Sequence, residues 1–309
     1  MPRLLGRRLA LGLLVLLSIA PLRAQLTFTF DYTLDNGFFS GANDWRRPYL
    51  EAAGSYVSQY FTATTLAEIA PQNGNSWSAK VTNPNNALDF KEFFSVPANN
   101  VIVVVGGSSI NALAQAAPAN YSVSGEPSWV NSVEWRATSV VTYKRTSVGS
   151  LYFNTSTPWF FDSTPLSQKL FSQYDFFSVA THELLHVLGF GQPGFGYGWS
   201  AKLFGPSSFA GGRVLDETDD VPVPLTADKG HWAAGTLSFS MRDGTAQETL
   251  MDPDIAAGVR KYLTTLDLRA MHDIGYPANF TAVPEPAAFG VGAGVISLVW
   301  AWRRRRAQS

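Results

Sequence analysis

The chain has 309 residues, of which 46% are apolar and only 15% charged, with a net charge of −1 and no cysteine. That length and apolar content can fill one large core or two smaller lobes. The near-neutral balance provides no field for nucleic acid, and the missing cysteines exclude a disulfide framework, a thiolate metal ligand and a thiol nucleophile.

In chain order, residues 1–24 have the form of an export signal. Arg3, Arg7 and Arg8 precede an apolar run over 9–20, and 22-LRA-24 ends in the small residue that a signal peptidase needs. The run is shorter than the roughly 20 residues that span a bilayer, so cleavage after Ala24 is expected. Next, 26-LTFTFDY-32 alternates apolar and polar residues as a half-buried strand does. Pro48 then opens an amphipathic helix, in which Tyr49, Ala52, Ala53, Tyr56, Val57 and Tyr60 recur at helical spacing. The run 101-VIVVV-105 predicts a strand buried on both faces, and 150-SLYF-153 a further strand. Another helix is expected to begin near Asp175 or Ser178, both good N-caps, and to stop at Gly189. Strand, helix, several strands, then helix is an α+β order.

That second helix carries 182-HELLH-186, an H-E-x-x-H motif. Ala180, Leu184, Val187 and Leu188 share one face and suit a core, whereas Val179, His182, Glu183 and His186 share the other. Both imidazoles therefore project from one stripe, a single turn apart. Two neutral imidazoles at that spacing can grip one zinc ion, with Glu183 beside them to act on a water without becoming a ligand. A chance occurrence is expected in roughly a few per thousand sequences of this composition. Catalytic zinc sites use three protein ligands, so one is missing. Six residues after His186, where the longer form of the motif places it, stands Gln192, whose neutral amide is a poor zinc ligand. Asp216, Glu217, Asp219 and Asp220 form an acidic loop that reads as a solvated turn or at most a calcium site. The chain has only two other histidines, His231 and His272. On chemistry alone these two are nearly even.

The combination 182-HELLHVLGFG-191, 230-GHW-232, 248-ETLMDP-253 and 271-MHDIGY-276 resembles the leishmanolysin branch of the metzincin metalloproteases and its bacterial relatives. In that branch a long insertion follows the glycine of the helix motif, and the third zinc histidine arrives in a later His-Trp pair, before a Met-turn. The resemblance implies His231 as third ligand beside His182 and His186, Met251 as the Met-turn methionine, and Zn2+ as cofactor. It also implies a catalytic domain over 25–283. That domain would comprise an N-terminal subdomain (25–189) with a twisted mixed sheet and two long helices, and an irregular C-terminal subdomain (190–280) below the zinc cleft. The chemistry implied is metal-assisted hydrolysis of a protein or peptide substrate, with Glu183 as general base. The strand holding 150-SLYF-153 would pair with the extended substrate at the sheet edge.

The C-terminus runs from 284-PEP-286 through the apolar stretch 287–302 to Arg303, Arg304, Arg305 and Arg306. Such an arginine cluster stays cytoplasmic, so the domain before it lies outside. That order of parts over 284–309 resembles the PEP-CTERM sorting tail of Gram-negative bacteria. It implies passage through the membrane by the segment 287–302, removal by an exosortase-type enzyme, and a final place at the cell envelope, cell surface or extracellular matrix. Because such tails also occur on structural envelope proteins, a non-catalytic surface or matrix protein retaining the fold is the competing expectation. A zinc hydrolase acting on something other than peptides is a third.

Overall fold

The computed structural model of the chain describes residues 25–280 apart from 62–64, 72, 82, 84–88, 93–94, 138–141, 163, 165–168, 193, 195 and 197. The expected export signal at 1–24 and sorting tail at 284–309 lie outside the described residues. Among the described residues no helix is long and apolar enough to cross a membrane.

The alternating opening stretch forms β1 (Thr27–Asp31). A short 3₁₀ turn at Gly41–Arg46 leads into α1 (Arg47–Ser58), with Pro48 in the first turn, where a missing N–H costs nothing. There follow β2 (Ser76–Val81), β3 (Asp89–Glu92), β4 (Asn100–Ser108), β5 (Ala114–Pro118), β6 (Asn120–Ser124), α2 (Pro127–Trp135) and β7 (Val148–Asn154). After the two-residue strands β8 (Trp159–Phe160) and β9 (Tyr174–Asp175) comes α3 (Phe176–Leu188), the helix of the H-E-x-x-H motif. The remainder is built from short pieces: β10 (Leu203–Phe204), β11 (Ser208–Phe209), α4 (Gly212–Leu215), β12 (Val223–Pro224), β13 (Leu237–Phe239), β14 (Ala246–Glu248) and finally α5 (Thr265–Asp273).

The chain is thus α+β. Its main sheet has the order β1-β4-β7-β5, with β1, β4 and β7 parallel and β5 antiparallel to β7. Having parallel partners on both sides, β4 is buried along nearly its whole length, as its continuous apolar run requires. One face of the sheet, through Val103, Val105, Leu151 and Phe153, packs on α1 and α3 in the larger core. The other, through Val104 and Val148, packs on Trp77 and Val81 of the separate antiparallel sheet β3-β2-β6. Layers of helices, mixed sheet and small sheet result.

One expectation is overturned. The strand holding 150-SLYF-153 is β7, which lies between β4 and β5 with Val148 to Phe153 all buried, so it has no open edge to offer a substrate. The edge strand on that side is β5. The physical reason is in its composition: 114-AQAAP-118 contributes little apolar surface, and Pro118 cannot donate to a ladder on both sides, which confines it to an edge.

Candidate metal centre

α3 begins where Asp175 accepts the Ser178 backbone N–H at 3.0 Å and the Ser178 hydroxyl at 2.6 Å, so Asp175 is the N-cap and Ser178 its partner one turn on. The helix stops at Gly189, whose φ of 111° is a left-handed conformation that a residue with a Cβ adopts only under strain. Between these ends Ala180, Leu184, Val187 and Leu188 are fully buried in the core, leaving His182, Glu183 and His186 on the face toward a cleft.

His231 reaches the same place from the loop after β12. That loop is a tight turn: Thr226 N–H donates to the His231 carbonyl at 3.1 Å, and His231 N–H donates to the Thr226 hydroxyl at 3.2 Å. Asp228 braces the turn by accepting from the Thr226 hydroxyl and the Gly230 N–H at 2.6 and 2.9 Å. Gly230 in turn lies against Gly191, where any Cβ would collide with the Gly230 carbonyl, so the chain leaving α3 and the loop bearing His231 meet backbone to backbone.

The three Nε2 atoms converge. His186 Nε2 lies 3.0 Å from His182 Nε2 and 3.0 Å from His231 Nε2, and the last two are 3.2 Å apart. On the far side of its ring, His182 Nδ1 donates to the Leu250 carbonyl at 2.8 Å and His186 Nδ1 to the Phe190 carbonyl at 2.9 Å. A carbonyl only accepts, so in both rings Nδ1 carries the proton and Nε2 is a bare lone pair. Two bare nitrogens 3.0 Å apart repel unless a cation stands between them. Three nitrogens each about 2.05 Å from one tetrahedral ion would be about 3.3 Å apart, close to what is seen. Burial pushes the pKa of all three imidazoles down, with mutual repulsion adding to it for His182 and His186, and His186 falls to about 4. Each shift favours the neutral imidazole, the form that can ligate a metal. The donor set fits a metal ion, and among the described residues it is the group of histidine and acidic side chains suited to hold one.

Glu183 is buried beside them, and burial pushes its carboxyl up to about 8. It sits where two clefts meet, of about 510 and 450 Å³, one reaching Gly191 and Gln192 and the other Tyr174, Asp252 and Lys261. Both are bordered by Ala112 and Ala114 at the start of β5. The β5 ladder shows what that border offers. Leu113 accepts from Asn154 N–H, and Ala119 N–H donates to Val148, each at 2.8 Å. Antiparallel bonding alternates, so Gln115 and Ala117 bond to β7, and Ala114 and Ala116 turn their N–H and C=O groups to the open edge.

Gln192 lines the same cleft as His186 and His231. The other ligand candidates go elsewhere. His272 lies in the last turn of α5, its ring 6.0 Å from that of Phe280, in a separate cleft with Arg145 and Lys202. Glu217 accepts from the Ser238 and Thr265 hydroxyls and pairs with Arg269 at 2.7 Å, and Asp216 faces Arg213 at 3.8 Å. Asp219 and Asp220 sit in a turn with φ of 50° and 63°. Met251 is fully buried in the turn after β14, directly following the Leu250 carbonyl that holds His182, and its own carbonyl accepts from Trp232 N–H at 3.1 Å. Sequence reasoning missed Lys261 and Tyr174, which also line the cleft, and the open edge at Ala114 and Ala116, for which Pro118 was the available signal. Compared with known proteins, the chain matches no protein-family model and no curated protein.

Proposed function

We propose that this chain is an exported zinc metalloendopeptidase of metzincin-like type, with His182, His186 and His231 holding the ion and Glu183 serving as general base. The observation that supports it most strongly is the convergence of three imidazole nitrogens, those of His182 and His186 bare, beside a buried carboxyl, in a cleft bordered by an open strand edge.

A zinc ion held there supplies Lewis acidity toward a water and a scissile carbonyl. Glu183 takes the proton from the attacking water on its carboxylate and returns it to the leaving amine. Ala114 and Ala116 bind the main chain of an extended substrate by strand addition, which fixes its direction without reading its side chains. The buried Met251, next to the Leu250 carbonyl that accepts from His182 Nδ1, corresponds in this reading to the Met-turn methionine of the resemblance.

The test is hydrolysis of casein by the purified protein, abolished by a chelator and restored by zinc. Glu183→Ala should keep its zinc and lose activity by about 100-fold or more, the scale of general-base catalysis. Full activity in that variant would refute the mechanism. Absence of any peptide cleavage by a zinc-loaded wild-type protein would favour the structural role instead.

A further inference from the structure

Asp267 is fully buried on the first turn of α5, and among the described residues no cationic side chain is paired with it. Five donors converge on it. One oxygen accepts from the Trp232 indole N–H at 3.0 Å and the Met251 N–H at 3.3 Å. The other accepts from the Leu250 N–H at 3.0 Å, the Thr264 N–H at 3.0 Å and the Thr264 hydroxyl at 2.7 Å. The backbone and indole partners can only donate, so both oxygens act as acceptors, and these bonds counter the burial that pushes the Asp267 carboxyl's pKa up.

The Met251 N–H and the Leu250 C=O belong to one peptide unit. That unit donates at one end to Asp267 and accepts at the other from His182 Nδ1 at 2.8 Å. A peptide hydrogen-bonded at both ends is polarised along its length, so a carboxylate at its N–H makes its carbonyl a stronger acceptor. The ordinary device for orienting a metal-binding histidine is a carboxylate or a carbonyl on its second nitrogen, which fixes the tautomer and raises the basicity of the first. Here the two are placed in series. The same carboxylate also pins the indole of Trp232, the residue next to His231.

We infer that Asp267 is a positioning residue for the metal centre, acting on His182 through the Leu250–Met251 peptide and on His231 through Trp232. This rests on the metal-binding reading above. It separates two functions that the five bonds would otherwise blur: the bonds to Thr264 cap α5, while those to Met251, Leu250 and Trp232 serve the imidazoles.

The experiment compares zinc affinity, by competition with a chromophoric chelator, with the thermal stability of the metal-free full chain. Asp267→Asn keeps the shape but removes the charge and one acceptor, and should weaken zinc binding by about 10- to 100-fold, as loss of an outer partner of a ligand histidine typically does. The cobalt-substituted protein should show altered d–d absorption in that variant. Thr264→Val removes the cap and leaves the peptide relay, so it should lower stability with zinc affinity within about twofold of wild type. If both variants lose affinity in proportion to stability, or if Asp267→Asn binds zinc as wild type does, the positioning role is wrong. Should Asp267→Asn not fold, the zinc-loaded wild-type protein decides: the Met251 amide proton should be strongly protected from exchange, and exchange as fast as in exposed loops overturns the relay. A wild-type chain that takes up no zinc would instead defeat the metal-binding reading itself.

Discussion

The three imidazoles are held by unequal means. His182 and His186 share a helix face and each is locked by a carbonyl, from Leu250 and Phe190 respectively. His231 depends on the turn formed by Thr226, Asp228 and Gly230 and on its contact with Gly191. The two candidate third ligands can be separated by zinc content after gel filtration: wild type and His272→Ala should each retain about one ion per chain, and His231→Ala should retain almost none, since two imidazoles leave the ion underligated. Zinc lost from His272→Ala and kept by His231→Ala would reverse the assignment. At this scale the helix pair was legible in the sequence because i and i+4 are neighbours on any α-helix. Histidine chemistry by itself left His231 and His272 equal, and only the resemblance favoured one. Asp267 was not singled out, although 264-TTLD-267 has the spacing of a capping box; such a box signals a helix start and says nothing of Trp232 or Met251, which come from distant parts of the chain.

The position of α3 as an element is set at its first turn. Asp175 caps it and also forms a buried two-pronged pair with Arg260, at 2.7 and 2.9 Å, while the Ser178 hydroxyl accepts from Lys261 N–H at 2.8 Å. The segment after the Met251 turn is thereby clamped to the helix that bears two of the imidazoles. Asp175→Ala should destabilise the protein by about 3–5 kcal/mol, because it leaves the Arg260 charge buried without its partner as well as removing the cap. Chemical denaturation measures this, and a loss below about 1 kcal/mol would mean that the pair contributes no more than a surface ion pair. The ends of α3 were readable from local chemistry, Asp175 at one and Gly189 at the other. The order of strands was not. β5 takes the edge expected of β7 because a strand's neighbours are chosen by non-local pairing, which no short stretch of sequence encodes; only Pro118 marked which strand must lie outermost.

For the whole molecule, a metal held between α3 and a loop 45 residues later would tie folding to metal occupancy. A ligand present at about 1,000 times its Kd stabilises the folded state by about 4 kcal/mol, which for a domain of this size raises Tm by about 10 °C. Removing zinc with a chelator should lower Tm by about that amount and re-addition should restore it; an unchanged Tm would count against a site spanning these two segments. From sequence alone, the helical repeat placed two imidazoles and a carboxyl on one face, the caps bounded that helix, and the order of elements set an α+β class. These follow from local geometry, which a few residues determine. The tertiary structure decided that His231 joins them while His272 does not, that β5 rather than β7 borders the cleft, and that one buried carboxylate reaches the Met251 turn, Trp232 and the cap of α5 together. Each of these is a contact between segments far apart in the chain, whose distance depends on how the helices and sheet pack and not on spacing along the sequence.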